Sequence, residues 1–118
     1  MNFQESLSRT MAGIPGAVAL SLIGLDGLRV VGVATNDAVD MDNLSAELTT
    51  FIRNLNLANA DLKLGRLQQI ALISQDYTSI ISSITEDYYL LCVMEHQDYF
   101  GEARFQLRKL ALRLKKEL

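Results

Sequence analysis

Residues 17–23 read Ala-Val-Ala-Leu-Ser-Leu-Ile and place apolar or small side chains on both faces of any strand they form. A sheet with one wet face alternates apolar and polar residues, so a strand without alternation has to be covered on both sides. Residues 30–34, Val-Val-Gly-Val-Ala, have the same character. Asp26-Gly27 between them suits a tight reversal, because the positive φ such a turn demands is cheapest for Gly and tolerable for Asp. The segment predicts a hairpin within a sheet sandwiched between helical layers. Gly27 and Gly32 stand at phosphate-loop spacing, yet Val33 and Ala34 follow where that loop needs Lys and then Ser or Thr. Nucleotide binding by this stretch is not expected.

The remaining elements follow from periodicity. Phe3, Leu7, Met11 and Ile14 recur at helical spacing and predict a short amphipathic helix over residues 2–12, ended by Gly13 and Pro15. After an acidic connection at residues 35–42, Asp42 or Asn43 can cap a middle helix that runs to about Leu62 and is closed by Gly65. Leu44, Leu48, Phe51, Ile52, Leu55 and Leu62 form the stripe expected to pack on the sheet. The opposite side carries Ala46, Thr49, Thr50, Arg53, Leu57 and Ala60, small or apolar with a single charge where a wet helix shows Lys and Glu. That side is expected to meet another protein surface. Three further strands, at residues 66–73, 78–85 and 88–94, are joined by short turns at Gln75-Asp76 and Glu86-Asp87, an antiparallel meander. A last helix over residues 98–118 packs Phe100, Ala103, Leu107, Leu110, Ala111, Leu114 and Leu118 inward. Phe105 and Leu112 fall on a second stripe, expected to meet the first helix.

Length and charge narrow the function. At 118 residues the chain predicts one domain, residues 1–118, and a net charge of −3 argues against an electrostatic hold on nucleic acid. The single cysteine, Cys92, lies in an apolar run and reads as a small buried hydrophobe in a reducing compartment. The apolar stretch near the amino end has Arg9 ahead of it offset by Glu5, and Pro15 interrupts it. It makes neither an export signal nor a spanning helix, so a cytoplasmic protein without stable membrane insertion is expected. Asp37, Asp40 and Asp42 lack the spacing of a calcium loop and suit the amino end of a helix instead. His96 and Asp98 could relay a proton, but no nucleophile accompanies them, and His96 reads as a linker residue. The last helix sets Arg104, Arg108, Lys109, Arg113, Lys115 and Lys116 against Asp98, Glu102 and Glu117. Cations on a wet face near a helix carboxyl end account for this pattern, with docking to a membrane surface or acidic partner as the sharper alternative. No catalytic residue, metal or cofactor is expected.

The order helix, two strands, helix, three strands, helix resembles the roadblock family, the dynein-light-chain and bacterial gliding-protein regulators, over essentially the whole chain. Its most telling pieces are IPGAVALSLIGLDGLRVVGVA and DYYLLCVMEHQDYFGEARFQLRKLA. The resemblance implies an α+β, three-layer, profilin-like fold with a five-stranded antiparallel sheet, one helix on one face and two on the other. It also implies a homodimeric module that binds and regulates or scaffolds a small Ras-like GTPase. In such a dimer the middle helices pack together and the third strands pair, which here assigns the outer side of the middle helix, with Leu57, and Gln68, Ile70 and Leu72 to the interface. The third strand lacks the Pro or inward charge that protects an open edge. Arg53 is the one arginine on the proposed partner side, and its mid-helix place suits an ion pair or partner contact better than insertion at a transferring phosphate. A small-molecule sensor of similar architecture is the alternative; it needs a hollow core, for which Ser21, Ser79, Ser82 and Ser83 are the inward polar candidates.

Overall fold

The computed structural model describes residues 2–95 and 98–118. Helix α1 (Phe3–Ala12) begins at Asn2, whose side chain accepts from the Glu5 amide, and ends at Gly13. Strands β1 (Ala17–Gly24) and β2 (Arg29–Ala34) form the predicted hairpin, reversed through Gly27 at φ 89. Asp26 steadies the turn by accepting from the Leu28 amide at 2.9 Å. Helix α2 (Met41–Asp61) follows, then β3 (Gln69–Ile73), β4 (Thr78–Ser83), β5 (Tyr88–Met94) and α3 (Phe100–Lys115).

The five strands make one antiparallel sheet in the order β2-β1-β5-β4-β3. On one face Leu20, Leu22, Ile80, Leu90 and Met94 pack with Leu7 of α1 and Leu107, Leu110 and Leu114 of α3. On the other, Ile23, Ile81, Tyr89, Leu91 and Val93 pack under Leu48 and Ile52 of α2. This is the α+β, three-layer arrangement anticipated above. Register shifts in β1 and β2 mark irregularities that leave Val18 and Val30 without a direct partner. Such a bulge breaks strict alternation, which is how Val18 and its neighbour Ala19 both reach the α2 side.

Several boundaries differ from the sequence reading. The β1 strand is covered on both faces as predicted, but β2 of similar composition is an edge strand and leaves Val30 52% exposed. Asp40, not Asp42 or Asn43, caps α2, accepting from the Asn43 amide at 3.1 Å. The helix exit is made by Lys63 in a left-handed conformation, φ 59, before Gly65 is reached. Residues 66–68 are outside β3, although the Gln68 carbonyl accepts from the Ser83 amide at 2.7 Å, and the Leu67 amide donates to the Asn56 side chain of α2 at 3.1 Å. Phe105 and Leu112 do not meet α1; both are exposed, and α1 instead packs through Leu7 against the inward stripe of α3. His96 lies outside the described residues.

Candidate interaction surface

What faces outward from α2 is decided by what it turns inward. Its buried residues are Met41, Ser45, Leu48, Thr49 and Ile52. Two of these are polar, and the side chain of one, Thr49, meets a hydroxyl that the sheet presents. Tyr89, buried in β5, places its hydroxyl 2.7 Å from Thr49 Oγ1 and 3.3 Å from the Ser45 carbonyl. Thr49 Oγ1 itself donates to the Ser45 carbonyl at 2.7 Å, and Ser45 Oγ donates to the Met41 carbonyl at 2.6 Å. Either hydroxyl can donate in the Thr49–Tyr89 bond, since each has the Ser45 carbonyl as an alternative acceptor. Burial pushes the Tyr89 phenol above its ordinary pKa, an effect the bond to Thr49 partly opposes. The tyrosine stays neutral and fixes the rotation of α2.

That rotation corrects the expected partner side at one position and fills in others. Thr49 is 2% exposed and belongs to the interior. Ala46, Thr50, Leu57 and Ala60 are exposed, Leu57 at 67%. Arg53 is exposed and donates through Nη2 to the Leu25 carbonyl, so its place is against the β1–β2 hairpin. Asp42 on the same flank pairs with Arg29 at 3.6 Å. This flank is therefore turned to the β2 end of the sheet. The other flank faces the β3 end and carries Phe51, Leu55, Ala58 and Leu62, a helical i, i+4, i+7, i+11 row. Phe51 and Leu62, expected to pack on the sheet, are exposed, Leu62 at 67%, because Met41 and Ser45 take the inward positions. Leu64 just beyond the helix is also exposed.

Beside this row the sheet ends in β3, bonded to β4 on one side and to no strand on the other among the described residues. Ile70 and Leu72 point to the α2 side and are half-buried; Gln68 precedes the strand and is exposed; Ile73 at its end is exposed. An apolar helix flank thus adjoins an open strand edge. Arithmetic on helical angle could find the row Phe51, Leu55, Leu62, but local sequence cannot say that Tyr89 holds it outward.

Asp40 serves as the cap described above, and Asp37 is exposed in the preceding loop. Burial pushes the Cys92 thiol up to about 12, so it is an inert core group. Ser21, Ser79 and Ser83 lie on the α2 face of the sheet and Ser82 on the other, as their cross-strand partners fix. Only Ser82 and Ser83 share a hollow, so the four do not converge on one. The space enclosed near Ile52, Asn56 and Tyr89 is about 20 Å³, the size of one water. No described helix is long and apolar enough to cross a membrane.

No protein-family model matches the chain, and no curated protein sequence matches it. Solved structures do. A roadblock/LC7 domain from Streptomyces avermitilis superposes with a TM-score of 0.87 at 12% identity, covering 99% of this chain and 98% of that one. A structure described as MglB with tetrameric arrangement gives 0.86 at 16% identity, covering 95% and 84%. MglC from Myxococcus xanthus gives 0.70 at 25% identity over 100% of both chains.

Proposed function

We propose that this chain, which has the roadblock fold, is a non-catalytic homodimeric module that binds and regulates or scaffolds a small Ras-like GTPase. The observation that carries the proposal is the exposed apolar row on α2 lying beside the open edge of β3. A second copy related by a two-fold axis would cover both at once, α2 on α2 and β3 on β3. Each exposed leucine or phenylalanine fully buried in this way contributes about 1.5–3 kcal/mol. A stable interface buries roughly 1,600 Å² in total, the scale that a strand pair plus a helix face has to supply. A protein of the same fold, MglB, is described with a tetrameric arrangement, which is consistent with self-association through this kind of surface.

The GTPase partner rests on the family resemblance of the sequence. In this reading the dimer acts by holding switch segments of the bound GTPase, a shift of population driven by differential affinity. Arg53 supplies no catalytic group; the Leu25 carbonyl already engages it. Sedimentation velocity tests the assembly. The unmodified chain is expected at twice its 13.1 kDa mass, and Phe51→Glu or Ile70→Lys at the monomer mass. A monomeric unmodified chain rejects the proposal. Titration of the dimer with a Ras-like GTPase in its two nucleotide states tests the partner: binding that depends on the nucleotide supports it, and binding to neither state refutes it.

A further inference from the structure

Four cations that the proposed dimer does not use share one concavity between α3 and the β3–β4 end of the sheet. Arg104, Arg108 and Lys115 project from one flank of α3, and Arg66 comes from the connection between α2 and β3; together they line a groove of about 340 Å³. Its walls also hold Gln68, Gln69, Ser82 and Ser83, and no carboxylate lines it. Among the described residues the one ion pair is Arg29–Asp42, so none of the four cations is paired with a carboxylate there. Like charges gathered this closely repel, and in a chain of net charge −3 their segregation is the more telling.

The groove is also preorganised. Arg104 donates from Nε to Gln69 Oε1 at 2.9 Å, and Gln69 Nε2 returns bonds to the Arg104 carbonyl at 3.3 Å and to Ser82 Oγ at 3.4 Å. The guanidinium lies 5.6 Å from the Phe100 ring centroid. Its Nε is thus committed, while its two Nη groups have no protein acceptor among the described residues. A guanidinium held at Nε presents its remaining donors as a fixed fork.

We propose that this groove binds a phosphate monoester or diphosphate group. A single carboxylate would neutralise only one of four cations, whereas a phosphate carries close to two charges and oxygens that several guanidinium forks can share. Ile84, Ala111 and Leu112 give the groove an apolar wall for the organic part of such a ligand. The volume falls within the range of small-ligand sites. The phosphate can belong to a soluble molecule or to a lipid headgroup, since both present the same oxygens.

The test is calorimetric titration with sodium pyrophosphate, alongside flotation with phosphatidylcholine vesicles with and without phosphatidylinositol 4-phosphate. Saturable binding of pyrophosphate is expected, weakened at least about tenfold in Arg108→Glu and in Lys115→Glu, each of which removes a charge-assisted contact. Vesicle binding that requires the phosphorylated lipid and is lost in the same variants assigns the headgroup as the source; pyrophosphate binding without it assigns a soluble ligand. Arg29→Glu, which lies outside the groove, is expected to leave binding intact, as is Phe51→Glu, so the outcome is separable from that of the dimer. The proposal is overturned if neither probe binds, if Arg108→Glu and Lys115→Glu bind as the unmodified chain does, or if Arg29→Glu weakens binding equally. It is also overturned if a polyglutamate peptide competes as well as pyrophosphate.

Discussion

Replacing Tyr89 with Phe removes one oxygen from the layer between α2 and the sheet and leaves the ring in place. That oxygen lies 2.7 Å from Thr49 Oγ1 in a buried setting. A neutral buried hydrogen bond contributes about 1 kcal/mol net. Thr49 keeps its own donor bond to the Ser45 carbonyl, so Tyr89→Phe strands no buried donor, and the expected cost is about 1 kcal/mol. Thr49→Val preserves shape and removes the other hydroxyl, leaving the phenol only the longer contact to the Ser45 carbonyl, for a similar cost of about 1 kcal/mol. The double variant replaces both members by apolar groups of the same shape. It should cost about 1 kcal/mol in total where independent sites would sum to about 2, a coupling of about 1 kcal/mol. Urea denaturation reads this directly: with a slope of roughly 1–3 kcal/mol/M, each single change lowers the midpoint by roughly 0.3–1 M at unchanged slope. Additive losses, or a Tyr89→Phe midpoint equal to that of the unmodified chain, would refute the view that this hydroxyl pair sets the facing of α2.

Other outcomes can be checked with the same melts. Ser21 Oγ is buried without a partner among the described residues, so Ser21→Ala is expected to stabilise by about 1 kcal/mol. A Cβ added at Gly32 would lie 2.7 Å from that same oxygen, so Gly32→Ala should destabilise in the unmodified background and be partly rescued by Ser21→Ala. Asp40→Ala removes the α2 cap and should cost about 1 kcal/mol. For Cys92 the native thiol stays protonated up to about 12 while the unfolded thiol ionises near 9.0, so the unfolded state alone loses its proton between these values. Stability conferred on the neutral form is therefore intact below pH 9 and declines above it, by about 1.4 kcal/mol between pH 8 and 10. In Cys92→Ala that part of the pH dependence should vanish.

How far the sequence could be read follows from which properties are local. The absence of alternation in residues 17–23 reports double coverage because β1 sits inside the sheet with a helix layer on each face. Val30 and its neighbours look alike in composition, yet number of strand neighbours is not a local property, and β2 is an edge. On α2, apolar residues occur on more than one flank, so periodicity offers more than one inward stripe. Placing the largest side chains inward misassigned Phe51 and Leu62, because the deciding partner, Tyr89, is forty residues away from Thr49. The same limit applies to α3, where Phe105 and Leu112 suggested a second contact and face solvent. The cationic groove combines Arg66 with three residues of α3, a meeting that spacing along the chain does not announce.

The position of β1 has a consequence for biosynthesis. Its two neighbours are β2, made directly afterwards, and β5, whose residue Met94 pairs with Ala17. A nascent chain emerging from the ribosome can close the first hairpin early but must leave one whole edge of β1 open until nearly all of the sequence is out. Contacts this distant in sequence are slow to form, and an apolar strand waiting for them is a target for premature association. Ribosome-stalled chains ending before Tyr88 should accordingly recruit chaperones, and release of that hold should coincide with the emergence of β5.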